Sequence, residues 1–332
     1  MSMLRKRHLT AELQSGGTVS IPAWILDTGK PGPALLLVAA QHGNEVQGSE
    51  AMRRFVDLAA GQMTCGKVFA VPFANPPALH TRRPHIHLQP EQPYADDGGH
   101  NMNRWWPGRQ DGNDTARLPQ AIYQTFGDEA THALDLHCWN RHNAAAVLIR
   151  DVPDIRELAR QLGHRFVRVS KPSGPIESTG GYTLSGCFCE SGRLGVTYEF
   201  AGQYTIIEDE VRRGLRVIVN MARSIGLLPG RPTEGDNPVL FSDECESIHV
   251  ASPCSGVFVD AGIRMYDEVE QGALVGHVLS DTDLETREVR APVTGYVRGL
   301  GASRPHCDVS ITGHHPYVLE GETVATLDRR KA

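Results

Sequence analysis

The chain has 332 residues, enough for two domains each with its own core. At 40% hydrophobic and 22% charged residues it has an ordinary globular composition, and its formal net charge is −6. This balance offers no basic stripe for nucleic acid or an anionic membrane, and no apolar run reaches the roughly 20 residues of a membrane helix.

The opening MSMLRKRHLTAEL is basic but has no apolar stretch behind it, so no signal peptide is read there. Seven cysteines, an odd number without a CxxC pair, fit reduced thiols and a cytoplasmic setting. Cys187 and Cys189 would share one strand face, as buried small side chains or as a soft-metal pair.

From Thr18 to Ala40 the pattern reads as two strands joined by DTGKPGP, the second being the apolar run PALLLVAAQH. Gly43 to Gly48 opens a helix through EVQGSEAMRRFVDLAA, and KVFAVPFAN is a strand that stops at Asn75-Pro76-Pro77. Between Ala78 and Asp114 the periodicity dissolves into His, Pro, Gly and Asp, a length of loop that is usually functional or disordered. A helix near Leu118–Phe126, strands THALDLH and AAAVLIR, the helix DIRELARQLG, the strand LGVTYEF and the helix EDEVRRGLRVIVNMARSIGLL follow. Alternating strands and helices predict a mainly parallel, layered α/β domain over residues 1–236. Beyond GRPTEGDNP come short β-like runs and frequent Gly, so residues 237–332 are expected to form a small all-β domain.

The chemistry-bearing residues collect where apolar strands run out, the edge at which open α/β sheets bind ligands. His42 and Glu45 stand at a strand-to-helix junction, with Gly43 allowing a tight turn between them. Alone, such a pair is commonplace on surface helices. With His137 from the strand-terminal DLH it makes three ligands of the kind zinc takes, leaving a fourth position for a water whose pKa falls to about 7. Asp135, on the same strand face as His137, either orients that ligand or binds backbone amides. Glu199 ends an apolar strand, where burial would raise its pKa toward that of a general base; a plain surface carboxylate is the alternative.

HGNE at 42–45, NP at 75–76, NMNRWWPG at 101–108, DLH at 135–137 and YEF at 198–200 occur in the order of the succinylglutamate desuccinylase/aspartoacylase family, which this chain resembles from about Leu35 to Ala201. The resemblance implies a zinc carboxypeptidase-like fold and an amidohydrolase that removes an acyl group from a small N-acylated amino acid. It implies one zinc held by His42, Glu45 and His137, a general base at Glu199, and a substrate-carboxylate clamp at Asn103 and Arg104. The clamp has independent sense, because a guanidinium binds a carboxylate bidentately.

Another family arginine, which polarises the scissile carbonyl, falls in a stretch that is long and histidine-rich here; Arg83 is favoured over Arg82 for that role. His80, His85, His87 and His100 raise a second metal as an option, and Trp105 and Trp106 either line an acyl pocket or pack. The tail resembles a biotinyl/lipoyl-like barrel without the lysine a cofactor carrier needs, so a lid, an oligomer contact or a wall of the site are the roles open to it. The expected partner is a small carboxylate-bearing substrate, with metallocarboxypeptidase or esterase chemistry, or a non-catalytic binding role, as rivals.

Overall fold

Runs of apolar residues too short for helices become the strands of a large mixed sheet in the computed structural model, which describes residues 3–88, 99–302 and 315–331. In chain order the elements are β1 (Met3–Glu12), β2 (Thr18–Asp27), β3 (Ala34–Ala39), α1 (Gln47–Gln62), β4 (Lys67–Val71) and α2 (Pro76–Thr81). There follow α3 (Asp114–Ile122), β5 (His132–Trp139), β6 (Ala146–Arg150), α4 (Pro153–Gln161), β7 (Phe166–Ser170), α5 (Leu184–Glu190), β8 (Leu194–Ala201), α6 (Glu208–Ser224) and β9 (Leu240–Phe241). Among the described residues these strands form one nine-stranded sheet in the order β1-β2-β4-β3-β5-β8-β6-β7-β9.

The central strands β4, β3, β5 and β8 run parallel, while β2 is antiparallel to both β1 and β4, and β6 is antiparallel to β8 but parallel to β7. Every residue of β3 is buried, as expected of a strand covered on both faces. Leu35, Leu37 and Ala39 pack with α1, α4 and α6, whereas Leu36 and Val38 face the opposite core with α3 and α5. The period of two along β5 and β8 then assigns Asp135, His137, Thr197 and Glu199 to the α3/α5 face.

The reading of alternating strands and helices therefore holds, with three differences. Strand β1 escaped notice because its exposed residues, MLRKRH, hide the alternation. The first helix begins at Gln47, since residues 42–46 are spent on the turn that builds the site. Cys187 and Cys189 lie on helix α5, where two residues are about 200° apart, so the shared strand face and the soft-metal pair are overturned.

The tail adds β10 (Cys245–Ala251), β11 (Gly256–Asp260), β12 (Glu268–Val269), β13 (Leu274–Ser280), β14 (Thr286–Arg290), β15 (Gly295–Leu300), β16 (Tyr317–Val318) and β17 (Thr323–Arg330). They pair antiparallel into two four-stranded sheets, β10-β17-β15-β12 and β14-β13-β11-β16, around a core of their own that includes Val278, Val297 and Leu327. This small domain docks on the segment after His137: Ala144 donates to the Arg298 carbonyl at 2.7 Å, and Leu300 to that of His142 at 2.9 Å.

Candidate metal centre

The segment 40–45 leaves β3 through Ala40, whose φ of 52° turns the chain sharply. The Asn-Pro turn then clamps it: Asn75 donates its amide to the Ala40 carbonyl at 3.1 Å and its side chain to the Gln41 carbonyl at 3.0 Å. Gly43 is required by crowding, because a Cβ there would lie 2.0 Å from the Ala78 carbonyl oxygen and 2.5 Å from that of Arg83. These contacts aim His42 and Glu45 inward.

Glu45 is the hub. Its two carboxylate oxygens face the Nδ1 atoms of His42 at 3.0 Å and His137 at 2.8 Å. Each Nε2 has a partner of its own, Asn101 Oδ1 at 3.1 Å for His42 and Asp135 Oδ1 at 3.0 Å for His137. This is the arrangement in which second partners fix the rings of ligating histidines.

The electrostatics point the same way. Burial works against charge on His42, but Glu45 outweighs it and raises the imidazole pKa. Burial likewise opposes charge on His137, yet Asp135 and Glu45 drive its pKa well up. Burial would raise Glu45, and the two histidines instead hold it far below the usual carboxylate range. The pocket draws positive charge into its centre, and with ligand-type atoms of His42, Glu45 and His137 within 4.8 Å of one another it suits a metal cation.

Glu199 stands beside this group, because β5 and β8 are parallel with His137 in register with Glu199. Burial pushes its carboxyl up to about 7, a rise that Glu45 reinforces and His137 moderates. Asn103 and Arg104 sit on a 3-10 turn, Met102–Arg104, capped by the Asn101 side chain. Asn103 reaches the centre, with Nδ2 2.9 Å from His137 Nε2 and Oδ1 accepting from the Leu184 amide at 2.9 Å. Arg104, next in the chain, is exposed, its carbonyl accepting from the Thr179 hydroxyl.

Arg82 caps α2 in the left-handed conformation and is exposed, whereas Arg83 is half-buried in the segment pressed against Gly43. The loop histidines divide. His85 is buried edge-on against His42 with ring centroids 5.2 Å apart, while His87 contacts Asp114 and His100 contacts Thr115. Among the described residues they gather into no second metal-holding group, and residues 89–98 of that loop lie outside the description.

Three participants, Gln41, Asn101 and Gln203, escaped the sequence, and His85 was read there only as an option for a second metal. Gln41 joins the fully buried Trp106 to the site, accepting from the indole N–H at 2.7 Å and donating to Asp135 at 2.5 Å. Trp106 is thereby a packing and hydrogen-bonding residue. Asn101 holds His42, Gln203 donates to Glu45 at 3.2 Å and to the Cys138 carbonyl at 2.7 Å, and His85 backs His42. Only Gln41 and Asn101 left a signal, as amides flanking motif residues. Asp135 resolves as the partner of His137.

Residues 31–225 match the model of the succinylglutamate desuccinylase/aspartoacylase catalytic domain. The chain belongs to this family. It is similar to the N-alpha-acetyl-L-2,4-diaminobutyric acid deacetylase of Halomonas elongata, with 26% identity over 286 residues, covering 83% of this chain and 79% of the relative. Among solved structures, an aspartoacylase family protein from Mesorhizobium loti superposes with a TM-score of 0.70 at 22% identity, covering 100% of this chain and 96% of that one. The product-bound ectoine utilization protein EutE of Ruegeria pomeroyi gives 0.67 at 21% identity, covering 98% and 95%. Both span the family domain and the β-rich tail, so the two-part fold is shared.

Proposed function

We propose that the protein is a zinc-dependent amidohydrolase that cleaves the amide bond of a small N-acylated amino acid or a related carboxylate-bearing amide. The observation that carries this reading is the His42–Glu45–His137 cluster with Glu199 in register beside it. Two imidazoles and one carboxylate are a donor set that zinc favours, and when bound it supplies the Lewis acidity that makes water a nucleophile near neutral pH and polarises the carbonyl.

The residues supply the rest. Glu199, its pKa lifted by burial, accepts a proton from the attacking water and delivers it to the leaving amine. Asp135 and Asn101 hold the two rings in place while charge redistributes. Arg104, next to Asn103 in the chain, grips the substrate carboxylate, and Arg83 takes charge from the developing oxyanion. The tail is of biotinyl/lipoyl-like type, its segment Asp281–Glu285 carrying no lysine for a covalent cofactor. A cytoplasmic metabolic enzyme is the setting this activity fits. Among the described residues no helix is long and apolar enough to cross a membrane.

A panel of N-acyl amino acids, headed by N-acetyl-2,4-diaminobutyrate because of the Halomonas elongata relative, tests the reading against C-terminal dipeptides and simple esters. Turnover confined to the N-acyl acids supports it. Faster turnover of dipeptides would make the protein a metallocarboxypeptidase.

A further inference from the structure

Tyr266 belongs by sequence to the small β domain, in the turn just before β12, yet its ring packs against the core of the large domain and against a cluster shared by the two domains. Its backbone is in the left-handed region, with φ 77°, a conformation a bulky aromatic adopts only when its surroundings impose it. Three groups of the large domain surround the ring. The Arg213 guanidinium lies 4.0 Å from its centroid, and the rings of Phe166 and His164 lie at 5.9 Å and 6.0 Å.

The hydroxyl is where the two domains are tied. It accepts from the Ala145 amide at 2.8 Å and donates to the Glu210 carboxylate at 3.1 Å. Glu210 in turn accepts the Ala201 amide at 3.2 Å, the last residue of β8. Ala145 immediately precedes Ala146, which is the register partner of Glu199 across the β6–β8 ladder. A single phenol thus anchors the strand beside Glu199 and, through one carboxylate, the strand that carries it. Gln47 completes the grip by donating to the Ala201 and Gly202 carbonyls at 2.6 and 2.7 Å.

We infer that Tyr266 is a positioning residue through which the small domain sets the end of β8, and with it the Glu199 carboxylate, for the chemical step. The inference rests on the hydrolase reading above. It makes the small domain part of the catalytic apparatus without any contact between Tyr266 and substrate.

The test is Y266F in the full-length, zinc-loaded protein, which removes the hydroxyl and keeps the ring. Zinc content and KM should stay within about twofold of wild type while kcat falls about tenfold, because a small displacement of a reacting group is costly and the metal ligands are held elsewhere. E210Q should reproduce the kcat loss, and Y266F/E210Q should be no worse than the weaker single variant, since both break one linkage. Amide hydrogen exchange at Ala145 and at residues 199–201 should accelerate in Y266F. Unchanged kcat in folded Y266F, or losses that multiply in the double variant, would overturn the inference; if Y266F does not fold, E210Q decides in the same way. If the wild type hydrolyses no N-acyl amino acid, the hydrolase reading falls, and unchanged exchange in Y266F would separately refute the linkage.

Discussion

At the carboxyl edge of β3, β5 and β8 the protein buries Gln41, Glu45, Asn75, Asp135 and His137 almost completely. The small β domain instead fills its interior with Val275, Val278, Val297, Val324 and Leu327, leaves charges such as Asp283 and Arg287 outside, and among its described residues buries one charged side chain, Asp328, paired with Arg298. Burying a polar group costs stability unless it is paired, so the first region is expensive and the second cheap. The large domain bears that cost where hydrogen bonds interlock around one point, which is the physical mark of a site. Removing a group should therefore damage chemistry at the sheet edge and damage only stability in the small domain's core.

The largest effect is expected for Glu199→Gln, with turnover down by about 10²–10⁴ while zinc is retained. Loss of zinc along with turnover would make Glu199 a ligand. Because a general base must be deprotonated, activity should fall as pH drops through the Glu199 pKa. That pKa is about 7 before a bound cation lowers it, so the acid limb of kcat/KM belongs at or below that value and should vanish in Glu199→Gln.

Asp135→Asn should weaken zinc binding by about 10–100-fold, measured by chelator competition, since it strips His137 of its charged partner. Zinc affinity at the wild-type level would leave Asp135 a backbone-binding residue only. Arg104→Ala should raise KM about 10–100-fold for acids and leave uncharged amides nearly unaffected. Equal effects on both would remove the clamp. Leu327→Ala, in the small domain, should cost about 2–5 kcal/mol of stability in a denaturant titration yet leave zinc content and turnover per folded molecule unchanged. Zinc loss in that variant would erase the contrast between the two regions.

Much of this was legible from residues alone. The apolar runs around His42, His137 and Glu199 announced the central strands because continuous burial on both faces demands such runs. The group His42, Glu45 and His137, which could hold a metal, was visible because its histidines follow apolar strands, and the family resemblance joined the three. The exposed strand β1 and the helix holding Cys187 and Cys189 were obscured, since neither presents a clean period. Gln41, Asn101 and Gln203 carry no chemistry of their own, and only the fold shows that they hold those that do. Tyr266 lies in a different domain from its partners, a relation no local pattern encodes.

Elemental analysis of purified wild type beside His137→Ala, with turnover of the N-acyl amino acid panel on both, tests the central claim most directly. About one zinc per chain, lost together with activity in the variant, is the predicted result. A folded wild type that holds no metal and that added zinc cannot activate would contradict the account and leave a binding protein on the hydrolase fold.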